Sequence, residues 1–268
     1  METRNIQSSN SPESRKAGDP LELTLYGVKA IFRYCPPGTF IMGSPVDEKG
    51  RDYVETPHEV TLTKGFWLLE TPVTQALWVA VTGENPSLFQ GMDARPVEEV
   101  SWHDCNNFVR KLNNAKVAPN RMKFDFPTEA EWEYACRAGT TSRFNCGDEL
   151  TESDANFDYE FGAPSPVKSF APNAWGFYDM HGNVWEWCSD WYGFFPSTSC
   201  VDPHGPNSGL NRVQRGGGWD DCAKDCRSAN RFGNAPSRRR NYFGFRLALR
   251  SLNKRSVSDR RVRQLYFI

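Results

Sequence analysis

Between Gly176 and Trp191 the chain reads Gly-Phe-Tyr-Asp-Met-His-Gly-Asn-Val-Trp-Glu-Trp-Cys-Ser-Asp-Trp. Three tryptophans share these sixteen positions with the side-chain oxygens of Asp179, Asn183, Glu186 and Asp190. A turn at Gly182 can aim the Asp179 and Glu186 carboxylates, with backbone carbonyls at Gly182 and Val184, at one hard cation. Calcium favours all-oxygen shells of this kind. The alternative is a tryptophan-rich core strand in which Glu186 belongs to an internal ion pair. A second candidate is sulfur: Cys222 and Cys226 lie four positions apart. Paired thiolates suit Cu(I), but Asp220, Asp221 and Asp225 surround this pair, and nearby negative charge raises a thiol pKa and opposes the thiolate. His58-Glu59 does not extend into a His-Glu-x-x-His run, and no Gly-x-Ser-x-Gly elbow, phosphate loop or dinucleotide fingerprint occurs. Asp125, Glu129, Glu131 and Glu133 are clustered acids; Glu131 suits a helix cap and the others suit solvated faces or ion pairs.

The elements that must position these groups are short. Leu21 to Tyr26 and Val28 to Tyr34 alternate as strands, as do Thr39 to Met42 and Glu59 to Thr63. Phe66 to Glu70 reads as a buried strand. Three helices are predicted. One runs from Thr74 to Val81 and stops near Gly83. The next starts at Ser101 with Asp104 completing a capping box, and presents Trp102, Cys105, Phe108, Val109 and Leu112 on one face. The third starts at Thr128 with Glu131 three residues on, turns Trp132, Ala135 and Cys136 inward, and ends at Gly139 in the left-handed position. Residues 140–215 read as mostly irregular, which a packed domain tolerates only if bound ions and buried tryptophans fix the chain. Tyr242 to Leu249 reads as one final strand.

The chain has 268 residues, a net charge of −1, nine tryptophans and eight cysteines. Near-zero charge gives no field that draws nucleic acid or an anionic membrane, and no stretch is apolar enough to span a bilayer. The polar N-terminus lacks the apolar core of a signal peptide. The expectation is therefore a cytoplasmic protein with reduced thiols, or an exported one if N-terminally processed. Residues 1–20 read as a disordered arm, 21–250 as one domain and 251–268 as a basic tail.

The Gly176 to Trp187 segment resembles the signature of the formylglycine-generating enzyme (sulfatase-modifying factor) family. Gly38-Thr-Phe-Ile-Met-Gly-Ser44, Thr56-Pro-His-Glu-Val-Thr-Leu62, Pro72-Val-Thr-Gln75, Pro96-Val-Glu-Glu-Val-Ser-Trp102 and Pro127 through Gly139 resemble its upstream blocks. Arg215-Gly-Gly-Gly-Trp219, Cys226-Arg-Ser-Ala-Asn-Arg231 and Gly244-Phe-Arg-Leu247 resemble its downstream blocks. The resemblance implies an α+β, C-type-lectin-like fold with much irregular loop structure. It implies structural Ca²⁺ at Asp179, Gly182, Val184 and Glu186, and a second calcium near Asn156 and Phe157. At that second site Tyr159 occupies the carboxylate position, between Asp158 and Glu160.

The family's named activity uses copper and oxygen to convert a sulfatase cysteine to formylglycine, with two thiols after the Gly-Gly-x-Trp/Tyr turn. Cys222 and Cys226 are the catalytic candidates under that reading. Their register differs: the resemblance puts the first thiol where Asp221 stands and the second at Cys226, and the interval from Trp219 to Arg231 is short. The 218–243 region also resembles the variable region of diversity-generating-retroelement proteins, which share this fold. Gly218 stands where serine is usual. Asp220, Asp221, Cys222, Asp225, Phe232, Asn234, Arg238, Arg240, Asn241, Tyr242 and Phe243 interleave with scaffold-like positions, many of them asparagine in relatives. That pattern implies a ligand-binding surface for a protein or other macromolecule, built from aromatic and charged contacts. Ordinary drift in a surface loop is the alternative.

Overall fold

The computed structural model describes residues 15–252. Five antiparallel strands form the first sheet: β1 (Pro20–Leu25), β2 (Val28–Cys35), β5 (Phe66–Leu69), β12 (Ala248–Ser251) and β6 (Met122–Asp125), in that spatial order. The β1–β2 hairpin turns on Tyr26 and Gly27, both with positive φ (50° and 84°), as a tight hairpin turn requires. Strand β12 brings the far end of the domain back between β5 and β6. A second sheet orders β10 (Arg231–Asn234), β9 (Arg212–Arg215), β7 (Trp185–Trp191) and β11 (Phe243–Gly244), and a third orders β3 (Gly38–Met42), β4 (His58–Leu62) and β8 (Cys200–Val201).

The helices follow their sequence signals. Helix α1 (Gln75–Thr82) is capped by Thr74 and ends on left-handed Gly83. Helix α2 (Trp102–Asn114) has the Ser101/Asp104 capping box and buries Cys105, Phe108, Val109 and Leu112. One hydrophobic core packs these two helices on the first sheet, with Trp78 stacked on Phe108 at 5.0 Å.

Helix α3 (Glu129–Arg137) departs from the expected single inward face, because all nine of its residues are buried. Its acids are not solvated. Arg215 pairs with Glu129 and Glu133, Arg231 with Glu129, Arg137 with Glu133, and Arg250 with Glu131. Glu131 also completes the capping box with Thr128. Burying a charged helix is tolerable only where every charge finds a partner. The C-cap is Ala138 (φ 47°), itself left-handed, and Gly139 follows at the expected C′ position with positive φ (94°).

Two further expectations are corrected. Tyr242 to Leu249 is not one strand: β11 lies in the second sheet and β12 in the first. Buried Arg246 sits between them, its guanidinium on Glu186 at 2.5 Å, while the Leu247 carbonyl accepts from Leu69 of the first sheet and the Phe245 carbonyl from Val73, which follows β5. Of the expected arm 1–20, residues 1–14 lie outside the described residues. Residues 16–20 are held to the domain: Gly18 N–H donates to Tyr34 O at 2.9 Å, and Pro20 opens β1. Most of the basic tail also lies outside the described residues. Between α3 and β7 the chain is irregular, as expected, with Phe144, Leu150, Ala155 and Phe157 packed on Cys226.

Candidate recognition surface and its scaffold

The segment 176–191 is a turn followed by β7. Asp179, Gly182 and Asn183 all have positive φ (56°, 74° and 65°). Gly182 is required there: a Cβ would sit 2.2 Å from the Asn156 carbonyl oxygen. Asn183 N–H donates to that same carbonyl at 2.8 Å. The turn is laced to the downstream loop, since Gly182 N–H donates to Gly216 O and Trp219 N–H to Asn183 O, at 2.8 and 2.9 Å. Trp187 and Val184 are fully buried, and Trp187 Nε1 donates to Val100 O at 3.0 Å.

Glu186 is in an internal ion pair. Arg246 reaches both of its oxygens (2.6 and 2.5 Å), and Trp132 Nε1 donates to Oε2 at 2.7 Å. Asp179 is different. Its Oδ2 accepts Lys168 N–H at 3.0 Å, but the buried Oδ1 has no partner. Burial, ahead of any charge effect, pushes its carboxyl up to about 6. Asn156 repeats the pattern: Nδ2 donates to Ala163 O at 2.9 Å, while buried Oδ1 is unpartnered. Native proteins seldom leave buried acceptors unpaired, and an ion is one resolution. Asp179 and Asn156 thus fit a hard cation, whereas a Glu186 carboxylate already holding a guanidinium and an indole N–H fits one poorly. Among the described residues no three His, Cys, Asp or Glu side chains converge on one metal position, so backbone carbonyls would have to complete either shell.

The two thiols occupy different environments. Cys222 precedes a short 3-10 helix, Ala223–Cys226, and is exposed; its Sγ donates to Asp225 Oδ2 at 3.1 Å. Slight burial and the Asp225 contact raise its pKa. Cys226 is fully buried, which raises its thiol well above the ordinary range, with Asp221 and Asp225 adding to the effect. A Cβ on Gly217 would lie 2.6 Å from Cys226 Sγ, so glycine backbone seals the sulfur from above. Both cysteines are free thiols. The cavities of about 580, 460 and 400 Å³ are lined by other residues.

The residues flagged between 218 and 243 divide in two. Cys222, Phe232, Arg238 and Arg240 are exposed, and Asp220, Asp221, Asp225, Asn241 and Tyr242 are half-buried. Asn234 and Phe243 do not face solvent, at 6% and 2% exposure, and this corrects the sequence expectation for both. Phe243 pairs with Trp185 in the second sheet and packs against Trp187 at 5.4 Å. Asn234 donates to Gln214 Oε1 at 2.5 Å and accepts from Arg238 Nη1 at 3.2 Å.

Gly218, itself buried, underlies the half-buried members: a Cβ there would meet Asp220 Oδ1, Asp221 Oδ2 and Tyr242 Cβ at 2.9, 3.2 and 3.2 Å. Asp221 Oδ2 accepts from Gly218 N–H at 2.8 Å and from Trp185 Nε1 at 2.6 Å. Phe232 lies 6.0 Å from Trp185, centroid to centroid. Asp220 Oδ1 is shielded and unpartnered, and burial together with the Asp221 charge pushes its carboxyl up to about 6.

Local sequence patterns missed two contributors. Phe89 and Tyr159 meet the Trp219 ring from separate loops, each at 5.5 Å and nearly edge-on, and Tyr159 is 63% exposed. Tyr159 N–H also donates to Trp219 O at 2.9 Å. The positive φ of Asp158 and Tyr159 (54° and 62°) marks a tight local turn, which their residue types do not announce.

Comparison with known proteins agrees with this architecture. The sulfatase-modifying factor enzyme 1-like domain model matches residues 32–251. The formylglycine-generating enzyme of Streptomyces coelicolor is 39% identical over 198 residues, covering 64% of this chain and 60% of that protein. The chain spans 24% to 60% of the length of the curated relatives it matches first. Among solved structures, Treponema denticola variable protein 1 is similar with a TM-score of 0.76 and 30% identity, over 85% of this chain and 98% of that one. PvdO from Pseudomonas aeruginosa is similar at the same TM-score of 0.76 and 30% identity, over 88% and 99%.

Proposed function

This chain belongs to the sulfatase-modifying factor enzyme 1-like family, and from that premise we propose that it is a ligand-binding member rather than an oxidase. The recognition surface is formed by Asp220, Asp221, Cys222, Asp225, Phe232, Arg238, Arg240, Asn241 and Tyr242. The observation that carries this reading is the fate of the sulfurs: Cys226 is sealed in the core while Cys222, four positions earlier, is exposed, so the two thiols do not share one environment. Exposed aromatic and arginine side chains on loops tied to a rigid scaffold are the usual anchors of macromolecular recognition. The likeness to a variable protein supports diversification of this surface by a retroelement, and a protein or other macromolecule as ligand. Sequencing the flanking DNA tests this. A near-copy of the 218–243 codons differing only at adenines is the expected result; its absence, with no reverse transcriptase nearby, overturns diversification.

Calcium belongs to the scaffold in this reading. Asp179 with the Gly182 and Val184 carbonyls holds one ion and Asn156 with the Phe157 carbonyl a second, while Glu186 stays with Arg246. A bound ion stabilises the fold by mass action and does no chemistry. The second functional reading, copper-dependent conversion of a protein cysteine to formylglycine through Cys222 and Cys226, is favoured by the 39% identity to a formylglycine-generating enzyme. Raised thiol pKa values at both sulfurs count against it, because the thiolate is the copper ligand and the nucleophile. As to compartment, no helix among the described residues is long and apolar enough to cross a membrane; we favour the cytoplasm, or export after N-terminal processing.

A further inference from the structure

The loop from Gly83 to Val100 supports the recognition surface and carries a carboxylate without a counter-ion. Glu98 is fully buried. Its Oε1 accepts Phe89 N–H at 2.7 Å, and its Oε2 has no partner. Ser87 Oγ accepts Glu98 N–H at 3.2 Å, and Gln75 Nε2 holds the Phe89 and Pro96 carbonyls at 3.0 and 3.2 Å. The loop's shape around Glu98 is therefore closely determined. From this point it touches the recognition surface twice. The Phe89 ring meets Trp219 edge-on at 5.5 Å, and Glu99 N–H donates to Arg240 O at 2.9 Å. Glu99 itself is left-handed (φ 57°), a conformation that costs a glutamate about 1 kcal/mol and persists only while its surroundings hold it.

We propose that Glu98 is a positioning residue of the recognition surface: its buried carboxyl, accepting the Phe89 N–H, holds residues 87–99 in the shape that seats Phe89 on Trp219 and Glu99 on the Arg240 backbone. The proposal rests on reading 218–243 as the recognition surface. Burial pushes the Glu98 carboxyl up to about 7; the Phe89 and Leu88 N–H groups and Arg95 pull it down, and Glu99 pushes it up. Of the other elements packed on the loop, the segment whose Val167 N–H donates to Ala94 O brings Lys168, which is paired with Glu70. The first turn of α1 offers Thr74 and Gln75, and the 235–242 segment offers Arg240 through its carbonyl, with its Nη1 on Arg239 O at 3.0 Å. The sign follows. A folded-state carboxyl raised above its unfolded value favours the protonated loop. The stabilisation is fully present below the unfolded pKa and is lost as pH rises through about 7. At alkaline pH an unpaired buried charge pushes the loop open and unseats Phe89.

The test is an NMR titration of the Trp219 indole N–H and the Arg240 and Asn241 amides from about pH 5.5 to about 8.5, spanning the window in which a raised carboxyl titrates. It uses the unmodified chain, Glu98→Gln, and Asp220→Asn, which removes the neighbouring carboxyl. A shared midpoint near 7 is expected in the unmodified chain and in Asp220→Asn, with Glu98→Gln fixed at the low-pH positions. The same midpoint in Glu98→Gln, or no titration in the unmodified chain, overturns the proposal. Glu98→Asp, which keeps the charge and shortens the reach, should keep a titration but shift the Phe89 and Trp219 signals at every pH; unmoved signals would also count against it. The readout needs no ligand. A surface that binds nothing would therefore sink the recognition reading and leave this titration standing, and a flat titration with intact binding would sink the role of Glu98 alone.

Discussion

The scaffold beneath 218–243 and the surface above it treat charge in opposite ways. In the scaffold, Arg215, Arg227, Arg231 and Arg246 are buried and each is paired: Arg227 with Glu48 and Glu55, the others with Glu129, Glu133 or Glu186. On the surface, burial and the Asp221 charge raise the Asp220 pKa, and Asp220 Oδ1 has no partner. Paired buried charges fix one geometry, because losing either partner strands the other in a medium that cannot solvate it. A half-exposed group with an unpartnered oxygen, such as Asp220, imposes no comparable constraint. The lesson is that a fully paired scaffold and a more loosely held surface are separated by a single layer of backbone, the Gly216–Trp219 loop bonded to the 182–183 turn.

The sharpest way to break this contrast is Arg246→Ala. Removing one partner of a buried pair should cost about 3–5 kcal/mol, read as a collapse of the denaturation midpoint; a loss comparable to that of a surface charge would erase the distinction. Phe243→Ala should cost about 3–5 kcal/mol as a core truncation. Phe232→Ala, in the same flagged set but exposed, should change stability by less than about 0.5 kcal/mol while weakening ligand binding. Equal stability losses in the two variants would return Phe243 to the surface.

Chelation should lower the melting temperature of the native protein by a few degrees, on the order of 2–8 °C per kcal/mol of stabilisation lost. Asp179→Ala should remove most of that calcium response. No calcium in the native protein and no response would remove the ion from the scaffold. The smallest effect is expected for Asp220→Asn with Arg240→Ala. Their unfolding free energy should stay within about 0.5 kcal/mol of the unmodified chain, so any larger drop would make the surface part of the scaffold.

Sequence made the fold legible wherever local chemistry sufficed. Thr74, Ser101 and Thr128 announced three helix starts, and each caps the helix expected. The Tyr242 to Leu249 run misled because alternation cannot reveal that a buried Arg246 must leave one sheet to meet Glu186. Asn234 and Phe243 misled for a related reason: composition flags a residue as variable-looking but not the side of the strand on which it lies. Phe89 and Tyr159 were invisible because their contact with Trp219 joins segments far apart in the chain. The free Oδ1 atoms of Asp179 and Asn156, unlike the satisfied Glu186 carboxylate, were not legible either, because which oxygens find a partner depends on segments far apart in the chain.

The central claim is that the domain recognises rather than oxidises, and its most direct test is chemical. The native protein is incubated with Cu(I), oxygen and a sulfatase-type cysteine peptide, and the peptide is examined by mass spectrometry for the aldehyde. The expected result is unchanged cysteine, in the unmodified chain and in Cys222→Ser alike. Aldehyde that forms with the unmodified chain and disappears in Cys222→Ser would contradict it.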